Sequence, residues 1–92
     1  MIKIAVCDDE IYIRTYLISL IQKQGVECEI TAFADAAQYL TDKSSYDLLF
    51  LDIEFGQSPS VLNGMELAKQ IREKELDQQP VLIFVTGYEA YV

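Results

Sequence analysis

Among 92 residues there is no histidine and no tryptophan, and only two cysteines, two prolines and four glycines. Bases are scarce as well, 7 against 15 acids, so the net charge is −8 with no histidine to offset it. Such a balance argues against non-specific binding to nucleic acid or to an anionic membrane, both of which need basic patches. The two cysteines, Cys7 and Cys28, form no CxxC pair and no cysteine-rich frame. They read as buried free thiols of a protein in a reducing compartment. No apolar run approaches the length of a membrane span, and the amino terminus lacks the apolar core of a signal peptide. Repeats, low-complexity tracts and interdomain linkers are missing too. These absences leave a single small cytoplasmic domain as the expectation.

What is present is a chain that is 51% hydrophobic, enough to build a core. Strand and helix signals alternate along it. The apolar run Ile2–Cys7 reads as a strand, and residues 10–24 carry Ile13, Leu17, Leu20 and Ile21 at helical spacing, with Gly25 as a C-cap. Residues 27–33 alternate polar and apolar, as a strand at an edge or covered on one side would. Asp35 is placed to cap a short helix ending at Leu40 or Thr41, with Ala36, Tyr39 and Leu40 facing inward. Leu48–Leu51 and Val81–Val85 are continuously apolar, which suits central parallel strands. Between them, residues 53–63 read as a Gly-, Ser- and Pro-containing loop and residues 64–75 as a third helix. Glu66, Lys69, Arg72 and Glu73 read as the solvated face of that helix, and Tyr88–Val92 as the first turn of a further one. The order βαβαβαβ predicts an α/β fold with a doubly wound parallel sheet.

Acids close two of the strands. Asp8-Asp9-Glu10 follows the first, and Asp52 ends the third. In an open parallel sheet the ligand site lies beyond the carboxyl ends of the strands, so these side chains converge there. Clustered carboxylates repel unless a cation, a proton or a basic partner relieves them. A hard divalent cation, Mg²⁺ first, is the simplest occupant. Taken alone, Asp8-Asp9-Glu10 also reads as a helix start with acids in its first turn.

Asp8-Asp9-Glu10, Leu51-Asp52-Ile53, Asn63-Gly64-Met65-Glu66-Leu67, Ile71-Arg72 and Val85-Thr86-Gly87 occur in an order that resembles the receiver domain of bacterial response regulators, from end to end of the chain. The wording around residues 51–88 looks most like receivers that precede a LytTR-type DNA-binding domain. The resemblance implies a flavodoxin-like fold with Asp52 as phosphoacceptor for the phosphohistidine of a sensor kinase. It implies Mg²⁺ held by Asp9 and Asp52, by Asp8 through a water, and by the backbone carbonyl of Glu54. Thr86 would donate a hydrogen bond to the phosphoryl group, with Gly87 leaving room beside it. The partners implied are the sensor histidine kinase and a DNA-binding output domain; the segment itself carries no nucleic-acid signal.

Two departures from the family stand out. The loop after Asp52 is longer than the common pattern by about four residues, which a surface loop tolerates. It shows Phe55-Gly56 in place of the usual Met-Pro pair, which weakens Glu54 as a ligand. Against the family pattern, residues 1–92 would also lack most of the fourth helix and all of the fifth strand and fifth helix, as a cloned or trimmed fragment would. The fifth strand brings the family's lysine, and none of Lys3, Lys23, Lys43, Lys69 or Lys74 takes its place. On this reading the fold depends unusually on metal, and the strand at 81–85 is an apolar edge through which two copies pair.

Two rival functions remain. One is a Mg²⁺-dependent phosphohydrolase with a strand-end aspartate nucleophile. Such enzymes carry a second aspartate two residues later, where this chain has Glu54. The other is a receiver-like binding module that is not phosphorylated in this truncated form. The reading adopted is a phosphoacceptor rather than an enzyme.

Overall fold

The structure is a computed structural model, and it describes residues 1–42, 44–52, 64–73, 80–86 and 89–91. Among the described residues five strands form one sheet in the order β2-β1-β3-β4-β5. They are β1 (Ile2–Cys7), β2 (Cys28–Phe33), β3 (Leu48–Asp52), β4 (Val81–Thr86) and β5 (Glu89–Tyr91). The first four run parallel; β5 returns antiparallel along β4. The helices among the described residues, α1 (Ile11–Gln22), α2 (Ala36–Thr41) and α3 (Gly64–Glu73), alternate with the parallel strands.

Both faces of the sheet are apolar because the central strands are. On one face Ile4, Val6 and Val85 pack with Leu17 of α1, joined by Ile13, Ile18 and Ile21. On the other, Ala5, Cys7, Leu49, Leu51 and Leu82 pack with Leu67, Ala68 and Ile71 of α3 and with Phe33 and Tyr46. Phe33 meets Tyr39 and Tyr46 edge-on, with ring centroids 5.4 and 6.0 Å apart. Cys7 and Cys28 are free thiols, and burial, reinforced by the Asp8 charge, pushes the Cys7 thiol up to about 12. No helix among the described residues is long and apolar enough to cross a membrane.

Local chemistry explains the element ends. Asp35 caps α2 by accepting from the Gln38 N–H at 2.8 Å. Gly25, with φ of +70°, takes the left-handed conformation that releases the chain from α1 toward β2. At the N-terminal ends of the strands, Asp47 joins three of them. Its N–H donates to the Lys3 carbonyl at 2.8 Å, its Oδ2 accepts from the Lys3 N–H at 2.8 Å, and its carbonyl accepts from the Val81 N–H at 2.9 Å.

Four expectations need correction. Residues 89–91 form an antiparallel strand, not a helical turn. Phe84, Val85 and Thr86 find backbone partners there, so the β4 edge expected to be bare is covered over that half. Leu20 stays 37% exposed, and Ile18 takes the inner place on α1, because the buried arc centres on Leu17 and Ile21. Arg72 is more than a surface charge: its Nη1 donates to the Pro80 carbonyl at 3.2 Å, tying α3 to the start of β4.

Candidate functional site

Strand register brings the acids together. Cys7 stands opposite Leu51 on the β1–β3 ladder, so the next residue on β1, Asp8, comes beside Asp52. Asp52 stands opposite Val85, and Thr86 closes β4 one residue further on. Asp8, Asp9 and Asp52 each offer a carboxylate oxygen, and the three oxygens lie within 4.8 Å of one another. Asp8 is buried, Asp52 half-buried and Asp9 exposed. The set is therefore a shallow cup, floored by Asp8 and open on the side of Asp9.

Asp8 is held at three atoms. Its N–H donates to the Phe33 carbonyl at 3.2 Å, which extends the β1–β2 ladder by one step. Its Oδ1 accepts from the Glu10 N–H at 2.8 Å. Its carbonyl accepts from Arg14 Nη1 at 2.7 Å. The Glu10 bond closes the turn before α1, but Glu10, the N-cap, makes no side-chain cap bond and no acid lies in the first turn of α1, unlike the helix start read from the sequence. The Arg14 bond, reaching back six residues, is a contact the sequence pattern does not suggest. Burial raises the Asp8 carboxyl to about 6, with the charges of Asp52, Asp9 and Glu10 adding to the rise and the Glu10 hydrogen bond opposing it. Burial and its acidic neighbours thus shift the acid at the floor of the cup toward its protonated form.

Of the residues singled out from sequence, Asp8, Asp9 and Asp52 are brought together, and Thr86 sits at the neighbouring strand end. Glu54 and Gly87 lie outside the described residues, as do Lys43 and Lys74. Lys3 is the second residue of β1, at the opposite end from the cup, Lys23 follows the end of α1, and Lys69 lies exposed on α3.

Residues 4–92 match the response regulator receiver domain. The chain belongs to that family. It is 33% identical to the sensory transduction protein LytT of Oceanobacillus iheyensis over 92 residues, covering 98% of this chain and 36% of LytT. The chain thus spans about a third of that relative's length. The crystal structure of the response regulator TrrA from Thermotoga maritima in complex with Mg²⁺–BeF superposes with a TM-score of 0.78 at 35% identity, covering 97% of this chain and 72% of TrrA. The same protein in complex with the histidine kinase ThkA gives a TM-score of 0.68 at equal identity and coverage. A receiver domain of the flavodoxin-like class is therefore what the sheet β2-β1-β3-β4 and its helices build.

Proposed function

We propose that this receiver accepts a phosphoryl group on Asp52 from the phosphohistidine of a sensor kinase, with Mg²⁺ held by Asp8, Asp9, Asp52 and the backbone carbonyl of Glu54. The observation that carries the reading is the convergence of three carboxylate oxygens within 4.8 Å at the ends of β1 and β3. A donor set made of oxygens alone suits a hard cation rather than a soft one. Bound Mg²⁺ would supply charge screening between the nucleophile and the phosphoryl oxygens.

In the transfer, an Asp52 carboxylate oxygen attacks phosphorus and the P–N bond to the imidazole breaks. The nitrogen keeps the electron pair and takes up a proton; Asp52 becomes an acyl phosphate. Thr86, at the end of the adjacent strand, would donate its hydroxyl to a phosphoryl oxygen. The complexes of TrrA with Mg²⁺–BeF and with ThkA support a metal-assisted site and a kinase partner. Similarity to LytT supports a LytTR-type DNA-binding output domain in the whole protein, controlled by the modified state.

The test is intact mass after incubation with acetyl phosphate and Mg²⁺, beside Asp52→Asn. A single phosphoryl addition that disappears in the variant supports the reading. No addition would favour a receiver-like module that works by protein contacts alone.

A further inference from the structure

We propose that Arg14 is a positioning residue for the metal site, acting through the backbone of Asp8. This deepens the Mg²⁺ reading above and rests on it. Arg14 lies in the second turn of α1 and is half-buried. Its Nη1 donates to the Asp8 carbonyl at 2.7 Å, the length of a charge-assisted bond. Its own N–H donates to the Glu10 carbonyl at 3.2 Å. One residue thus grips both ends of the three-residue turn Asp8-Asp9-Glu10, by its side chain at the first and by its backbone at the last.

The turn needs such a grip because its middle residue has to be aimed. Asp9 is exposed, and no strand or helix contains it. Its carboxylate comes within 4.8 Å of those of Asp8 and Asp52 only while the turn holds its shape. The Phe33 carbonyl fixes the Asp8 N–H, and the Glu10 N–H fixes Asp8 Oδ1. The Asp8 carbonyl is the remaining polar group on that residue's backbone, and Arg14 fixes it. Without the guanidinium the peptide plane between Asp8 and Asp9 can rotate, and Asp9 swings away from the cup. A hydrogen-bond partner behind a ligand commonly changes metal affinity about 10–100-fold when removed. Because the ligand at risk here is one carboxylate of three, the low end of that range is expected.

The experiment measures Mg²⁺ binding by calorimetric titration, and melting temperature with and without Mg²⁺, for the wild type and for Arg14→Met, Arg14→Lys and Asp9→Asn. Arg14→Met should weaken Mg²⁺ about tenfold and shrink the metal-dependent rise in melting temperature. Arg14→Lys, which keeps a charged donor, should recover most of the affinity. If Arg14→Met melts lower in chelator yet binds Mg²⁺ like the wild type, the residue only stabilises the fold and the proposal fails. Equal loss in the Met and Lys variants also overturns it. Should the wild type bind no Mg²⁺, or Asp9→Asn bind it unchanged, the metal reading itself is wrong, a distinct result from a silent Arg14.

Discussion

Asp8 and Asp52 belong to different strands, yet they share one charged cup because Cys7 and Leu51 are partners on the β1–β3 ladder. A shift of that register by one residue would turn Asp52 to the opposite face and separate the pair. The apolar strands therefore do more than fill the core: their alignment fixes where the charge accumulates. At ~4 Å and an effective dielectric of about 20, two like charges repel by roughly 4 kcal/mol before a proton or cation relieves them.

The first prediction concerns pH. The folded state raises the Asp8 carboxyl to about 6, above its value in the unfolded chain. Between the ordinary carboxylate range and that value, the native protein holds a proton the unfolded chain has released. Stability must then fall as pH rises through this window. In chelator the melting temperature should drop between about pH 4 and 6 and level off above that, less so in Asp8→Asn, and Mg²⁺ should restore more at the higher pH. Parallel curves for the two proteins would refute the assignment.

Asp52→Asn should stabilise the metal-free protein, because it removes one of three converging charges while keeping the shape. A gain of even about 1 kcal/mol raises the melting temperature of a domain this size by roughly 4–8 °C. Adding Mg²⁺ should then raise it further by much less than in the wild type. An unchanged response to Mg²⁺ in the variant would show that Asp52 is not a ligand.

Gly25→Ala should destabilise by about 1 kcal/mol, since φ of +70° is strained for a residue with a Cβ. No atom lies within 4 Å of where that Cβ would stand, so the loss is conformational and not steric. Gly25→Asn should lose less, as asparagine tolerates the left-handed region. Chemical denaturation of the three proteins decides it: a loss for Asn equal to or larger than that for Ala would count against the conformational account.

Asp35→Ala removes the cap on the Gln38 N–H and should cost about 1 kcal/mol, read as a lower denaturation midpoint at unchanged slope. An unchanged midpoint would mean that α2 is held by Tyr39 and Leu40 alone.

Much of this architecture is legible in the chain because local and long-range signals agree. Leu48–Leu51 is apolar at every position and becomes a central strand; Asp35 is a capping residue and caps; three acids stand at strand ends and converge. The misreadings arise where a short segment has no period to read. Three residues, 89–91, cannot distinguish a helical turn from a strand until β4 offers an edge to pair with. The inward place of Ile18 over Leu20 depends on how α1 rolls against the sheet, which spacing alone leaves loose. Arg72 looks like a surface charge in the sequence and Arg14 carries no signal there; only the fold shows each reaching a backbone carbonyl.

Asp47 gives the sheet a direction. It stitches Lys3 and Val81 together where β1, β3 and β4 begin, through three hydrogen bonds of 2.9 Å or less, while the far ends of the same strands carry the mutually repelling acids. Local opening is therefore expected to start from the charged rim and to stop at this seam, as the ribs of a fan spread from a fixed rivet.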